Sequence, residues 1–340
     1  MKKFRALILV FLIFLMSGCG KREYSKVEFL MDTVVEIRVH HKSKAEAEKA
    51  INNSMEEMKR VEQKMSCFLP GSEVSRINKE AFLEGKKTPL SAERRLPVSD
   101  ELFSLLEKAV LLSEFTKGRF DITIFPLWKI WKFEGENLEV PEKVEIERAL
   151  KLVNYHKMIL KSDKISFAEK GMGIDLGGIA KGYAVDAAVR VLKKENINSA
   201  MVNAGGDIYV LGRKQGKPWR IGIRHPRREG EILGTIEVED RAIVTSGDYE
   251  RFFFSEGKRY HHIINPKTGY PADECQSVTI VAKETTFADG LATGIFVLGP
   301  SEGMALIESL EGVEGVIVSK EGDVSTSSGL VSKIEYVNQK

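Results

Sequence analysis

The chain opens on a pattern it does not repeat: three basic residues, Lys2, Lys3 and Arg5, then an uncharged apolar run over residues 6–16. A basic head and a short apolar stretch mark an export signal, and the run is too short to span a bilayer. Beyond it the apolar positions become periodic. Residues 33–40 (TVVEIRVH) alternate apolar with polar and are rich in β-branched side chains, which predicts a strand. Ala47, Ile51, Met58, Val61 and Met65 recur at helical spacing with Glu and Lys between them, predicting an amphipathic packing helix. A second helix is predicted from Ser99-Asp100-Glu101, a capping residue followed by acids, through Leu102, Leu105, Leu106, Ala109 and Val110 to a stop at Gly118.

Further along, the charged stretch 134–144 contains Pro141 and reads as a surface loop before a helix over 145–153. Glycines crowd residues 171–182, predicting a tight loop that leads into an Ala-rich helix over 179–192. Short strands separated by turn residues fill 200–260, and two helices fit 287–297 and 301–310. Helices and strands alternate without a regular βαβ rhythm. The expected class is therefore α+β, mixed sheets with packed helices, rather than a doubly wound sheet.

Composition narrows the function. Of 340 residues 43% are hydrophobic and 29% charged, which suits a folded protein of one large or two modest domains. The apolar run ends in Leu15-Met16-Ser17-Gly18-Cys19, which resembles a bacterial lipobox whose Cys19 becomes the lipid-modified first residue. This predicts a signal peptide over 1–18, a lipidated tether over 19–30, polar from Gly20 to about Lys26, and one domain over 31–338. The expected location is outside the cytoplasm, membrane-anchored and facing the periplasm or cell exterior. Formal charge is +2, but removing the signal leaves 48 basic against 49 acidic residues and a net −1. No basic excess supports nucleic-acid binding, so any phosphate chemistry is local. Cys67 and Cys275 remain; spacing alone does not say whether they pair, and no CxxC or Cys/His cluster suggests zinc.

Three stretches carry candidate chemistry. In GIDLGGIAKGY, from Gly173, a predicted strand delivers Asp175 into glycines and then opens a helix with an early Lys181. Such a turn either serves packing alone or forms a phosphate and metal site, since helix N-terminal amides carry partial positive charge; the Walker spacing is absent. In ADGLATG, from Ala288, Asp289 and Thr293 stand four apart on one helix face. They offer two hard oxygen donors suited to Mg²⁺, or else a carboxylate near the helix dipole and a hydroxyl bonded to main chain. In HHIINPKTG, from His261, a turn after an apolar segment exposes a His, either a neutral base or an ordinary hydrogen-bonding residue. Aromatics gather at Phe125, Trp128, Trp131 and Phe133. Trp128 and Trp131 are expected in the core, while Phe68 is placed to stack on a planar ligand.

Seven segments in order, MDTVVEI from Met31, SEVSRIN from Ser72, GRFDIT from Gly118, GIDLGGIAKGYAVD from Gly173, NAGGDIYVLG from Asn203, HHIINPKTG from His261 and ADGLATGIFVLG from Ala288, resemble the ApbE family of FAD:protein FMN transferases. The resemblance implies FAD as substrate and Mg²⁺ on its pyrophosphate, ligated by the Asp289 carboxylate, the Thr293 hydroxyl and the Gly178 carbonyl. It implies flavin-nucleotide contacts at Met31, Phe68, Arg119, Phe120, Asp121, Asp175, Lys181 and Ile264. FMN would pass to a Thr or Ser hydroxyl of an acceptor, a flavoprotein subunit of a membrane redox complex, with release of AMP. His262, directly before Ile263-Ile264-Asn265-Pro266, is the expected base, with a purely positional role as the alternative. A Mg²⁺-dependent FAD pyrophosphatase and a non-catalytic FAD-binding lipoprotein are the competing readings. The chain departs from the family pattern at Gly178, often Ala, at Phe68, often Tyr or Trp, and at Asp32, usually Gly, where an Asp strains a left-handed backbone.

Overall fold

Antiparallel pairing of period-two strands organises the protein, seen in a computed structural model that describes residues 22–82, 95–133, 135 and 138–337. Cys19 and the export signal lie outside these residues. Strands β1 (Arg22–Leu30) and β2 (Thr33–His41) form a hairpin, followed by helices α1 (Lys44–Met65) and α2 (Glu73–Phe82). Next come β3 (Leu96–Pro97), α3 (Asp100–Phe115), α4 (Phe125–Trp128), α5 (Lys143–Leu150), β4 (Met158–Leu160) and β5 (Lys164–Phe167). Helix α6 (Ala180–Lys194) precedes β6 (Ser199–Ala204), β7 (Asp207–Gly212), β8 (Trp219–Arg224), β9 (Ile232–Val238), β10 (Arg241–Gly247), β11 (Phe252–Ser255) and β12 (Lys258–His261). The chain continues through β13 (Cys275–Ala282), α7 (Thr285–Leu298), α8 (Pro300–Ser309), β14 (Glu314–Ser319), β15 (Val324–Thr326) and β16 (Ile334–Tyr336).

Eight strands make the central sheet in the order β1-β2-β6-β7-β10-β13-β14-β15, and each pair is antiparallel. Alternation sorts its side chains. Val35, Ile37, Val202, Val244 and Ile280 face α1, α6 and α7, whereas Val210, Ile243, Val281 and Val316 face the small sheet β16-β9-β8 with Trp219 and Ile221. With both faces covered, β13 is buried along its whole length and loses the alternation of a half-exposed strand. A third cluster joins Leu127 and Trp131 to Phe253 and Ile264. The architecture is α+β, as the interspersed pattern predicts.

Helix ends follow local chemistry. Ser43 and Ser99 cap α1 and α3 through their side chains. Helix α7 lacks a cap of its own; Asp186, on α6, accepts from the amides of Thr285 and Thr286 at 2.9 and 2.8 Å. Periodicity gives little warning of α2, whose buried face holds only Val74, Ile77, Asn78 and Ala81.

Three expectations are corrected. The tether expected over 19–30 is, from Arg22 onward, the edge strand β1. Its pattern is inverted: Val27 and Phe29 face outward, Phe29 with 71% exposure, while Lys26 bonds Asn52 and Glu28 meets Lys59 of α1. The segment ahead of Asp175 belongs to no sheet; the Asp175 amide bonds the Ile122 carbonyl instead. Trp131 is core, but Trp128 is half-buried and lines a cleft.

Helices α6 and α7 touch at Gly182. A Cβ there would stand 2.4 Å from the Thr285 carbonyl oxygen and 2.8 Å from Asp289 Cβ. Gly182→Ala is expected to destabilise the protein by about 3 kcal/mol, the upper end for overpacking, seen as a lower urea midpoint at unchanged slope. An unchanged midpoint would show that the helices have room to part.

Candidate active site

A cleft of about 410 Å³, within the range of small-molecule sites, opens where the β1–β2, β6–β7 and β12 ends meet the N-termini of α6 and α7. Met31, Phe68, Arg119, Phe120, Asp121, Asp175, Gly178, Lys181, His262, Ile264, Asp289 and Thr293 all line it, so every described residue selected from the sequence comes to one place.

Its mouth is strained. Leu30 pairs with Thr33, leaving Met31 and Asp32 as a two-residue turn with φ of 53° and 56°. That geometry normally takes Asn-Gly, and here the Met31 amide is held by Glu62 Oε1 at 2.9 Å. Asp32 thus adopts the left-handed backbone that its side chain disfavours. Phe68, 61% exposed, meets Trp128 edge-on with centroids 6.3 Å apart, making an aromatic wall. The opposing turn, Gly205–Gly206, joins β6 to β7 with both φ positive; a Cβ on Gly205 would lie 2.2 Å from Thr33 Oγ1.

Two of the expected contacts spend their carboxylates on the scaffold. Asp121 accepts from Thr123 and from the Tyr155 amide, which caps the loop. Asp175 accepts from the Gly177 amide and from Cys67 Sγ, both at 2.8 Å. Burial raises both carboxyls above the usual range against these bonds. Burial, then Asp175, holds the Cys67 thiol far above its ordinary value, and Cys67 and Cys275 are both free thiols. Phe120 is 4% exposed and packs beside Gly290 and Gly294 of α7.

The deepest part is electrostatic. Asp289 Oδ2 accepts from the Gly182 amide at 2.9 Å, and its carboxyl touches that of Asp207. Burial, then Asp207, pushes Asp289 up to about 7. Lys181 bonds Asp207 Oδ2 at 2.6 Å; burial pulls its pKa down, but Asp207 and Asp289 outweigh this and hold it above the ordinary value. Two buried carboxyls thus face one ammonium. Beside them, Thr293 Oγ1 lies 3.4 Å from Ser246 Oγ and 3.3 Å from where a Cβ on Gly178 would stand. Thr293 Oγ1 and the Gly178 main chain thus lie close together on the wall of the cleft that Asp289 also lines. Among the described residues no three His, Cys, Asp or Glu side chains form a ligand cluster.

The two adjacent histidines differ. His261 is buried and structural: Nε2–H donates to the Ala272 carbonyl at 2.6 Å, and Nδ1 accepts from the Ile263 amide. His262 lines the cleft, its amide bound to the Arg251 carbonyl and its Nδ1 buried without a hydrogen-bond partner. It is not exposed at a strand end as the turn suggested. Burial, then His261, Arg251 and Lys181, pulls its pKa down to about 3, which keeps the ring neutral with an open acceptor.

Residues 31–317 match the model of the ApbE family. The chain belongs to the ApbE family. An FAD:protein FMN transferase of Treponema pallidum is 32% identical over 354 residues, covering 97% of this chain and 95% of its own. The crystal structure of the ApbE protein of Thermotoga maritima superposes with a TM-score of 0.82 at 35% identity, covering 91% of this chain and 98% of that one. The flavin transferase ApbE of Vibrio cholerae gives 0.80 at 29% identity, covering 92% and 99%.

Cys67, Asp207, Ser246 and Arg251 are among the cleft residues of this ApbE-family site that the sequence did not single out. Asp207 closes the NAGGD segment, and that acid after paired glycines was the one usable signal; the other three sit in strands and turns with no marked spacing.

The neutral His262 has a consequence for stability. The unfolded chain takes up its proton near pH 6.5, whereas the native site resists until about 3, so stability falls as pH drops through that window. His262→Gln is expected to flatten this slope by up to about 1.4 kcal/mol per pH unit between pH 6 and 4, read by urea denaturation. An identical slope in both proteins would place the native pKa near its ordinary value.

Proposed function

We propose that the protein is an Mg²⁺-dependent FAD:protein FMN transferase that attaches FMN to a Thr or Ser hydroxyl of an acceptor protein. The observation that carries this reading is the single cleft, in which an aromatic wall at Phe68 and Trp128 faces a buried oxygen-donor cluster and a neutral, unpartnered His262. The relatives' name supports the substrate.

In this reading Phe68 and Trp128 stack on the flavin and the main chain around Gly177 and Gly178 accepts the pyrophosphate beside the α6 N-terminus. Asp289, Thr293 and the Gly178 carbonyl would hold Mg²⁺, which neutralises pyrophosphate charge as the phosphoryl group transfers. Lys181, held beside Asp207, and Arg251 add positive charge near the same phosphates. His262 Nδ1 takes the acceptor proton as the acceptor oxygen bonds the FMN phosphorus; the bond from that phosphorus to the bridging oxygen breaks, and AMP leaves with the bridging oxygen. The acceptor is a flavoprotein subunit of a membrane redox complex, and a lipid on Cys19 holds the enzyme at the outer face of a membrane.

Incubation with FAD, Mg²⁺ and an acceptor is expected to yield an acceptor heavier by FMN, with equimolar AMP. Free FMN with an unmodified acceptor would instead establish a pyrophosphatase. Mass spectrometry of flavin-linked proteins from cells with and without the enzyme identifies the acceptor. Asp289→Ala is expected to lower transfer by about 10²-fold or more while leaving the fold intact by circular dichroism. Full activity in that variant would refute the metal assignment. His262→Ala is expected to slow transfer by about 10²–10⁴-fold with FAD affinity little changed, and equal losses in both would assign it a positional role.

A further inference from the structure

Between the central sheet and the β16-β9-β8 sheet lies a second cavity of about 240 Å³. Ile208 and Ile243 line it from the central sheet, and Ile221 and Ile223 from β8. The Gly205–Gly206 turn contributes bare main chain, and nothing stands within 4 Å of where a Cβ on Gly206 would be. Arg224 and Glu250, both exposed, pair at its edge at 3.3 Å. Three residues, Gly205, Thr245 and Glu250, line this cavity and the active-site cleft alike, so the two spaces share a wall.

Transfer to a protein needs two approaches to one phosphorus. FAD enters between the aromatic wall and the oxygen-donor cluster, which leaves the acceptor chain to arrive along another side. The Gly205–Gly206 turn borders both spaces, and the open face of Gly206 leaves room for another main chain to approach closely. An isoleucine-lined space with a charged edge has the composition of a pocket for one anchoring side chain of an extended peptide. Ile208 stays only half-buried although it sits on an interior strand, so the sheets leave its surface available.

We propose that this intersheet groove receives an extended segment of the acceptor polypeptide, an apolar side chain filling the isoleucine pocket while a neighbouring Thr or Ser hydroxyl enters the cleft. The inference rests on the transferase reading above. The probe is the unmodified form of the acceptor protein found by the mass-spectrometric comparison. Ile208→Trp, which fills the groove, is expected to raise the acceptor KM about tenfold or more while FAD affinity, read by flavin fluorescence, stays within about twofold. Because a Trp here can disturb folding, a second arm places p-benzoylphenylalanine at the exposed Arg224. Illumination is expected to cross-link the acceptor within a few residues of its flavinylated hydroxyl. A wild-type acceptor KM in folded Ile208→Trp, or cross-links that map far from that hydroxyl, overturns the groove and leaves the transferase reading standing. A wild-type enzyme that modifies no acceptor overturns both.

Discussion

The contact of α6 with α7 at Gly182 is the constraint on which the site depends. With no side chain at this position, the Gly182 amide reaches the Asp289 carboxylate, and the N-terminal turn of α6 lies directly over α7. That one approach places Lys181 beside Asp207, brings Gly178 close to Thr293, and joins two sequence segments more than a hundred residues apart. Asp186 reinforces the same junction by capping α7 from α6. Packing and chemistry are therefore not separable here: the helices have to touch for the Asp289 carboxylate to meet the Gly182 amide.

The electrostatic character of the cleft follows from burial. Its carboxyls are raised and its His262 is lowered, both because low-polarity surroundings disfavour charge. Asp289 and Asp207 share this buried pocket with the single ammonium of Lys181, and His262 stays a neutral imidazole that resists protonation down to about pH 3. In the proposed reading, a hard divalent cation beside the pyrophosphate would offset the carboxyl charge at Asp289 and Asp207. The scaffold acids, Asp121 and Asp175, stay out of this exchange because their oxygens are already committed to amides and to Cys67.

Much of this was legible in the sequence where local rules govern. The apolar spacing of α1, α3 and α7, the alternation of β2 and the Ser99 cap all lie close to prediction, because helix and strand periods are set by neighbouring residues. The four-residue spacing of Asp289 and Thr293 placed both on the cleft side of α7. Non-local effects hid the rest. Strand β1 turns Lys26 and Glu28 toward α1 and Val27 and Phe29 outward, so the pattern in that stretch does not reveal that it pairs. Asp207 and Arg251 gain their meaning only from partners that the sheet brings across the cleft. His262 and His261 are adjacent and chemically identical, and family pattern chose between them; the physical difference is that Ala272 engages one ring and leaves the other open.

Strand β1 also fixes a distance. It begins at Arg22 and ends at the Met31–Asp32 turn that forms the cleft mouth. Nine strand residues make a stiff ruler about 30 Å long, clamped along its length to β2. Whatever holds the chain ahead of Arg22 therefore sets the standoff of the cleft along that line, with little slack in the strand. In the reading proposed above, an acceptor would have to carry its hydroxyl to that height, so that reach as well as sequence would sort its partners.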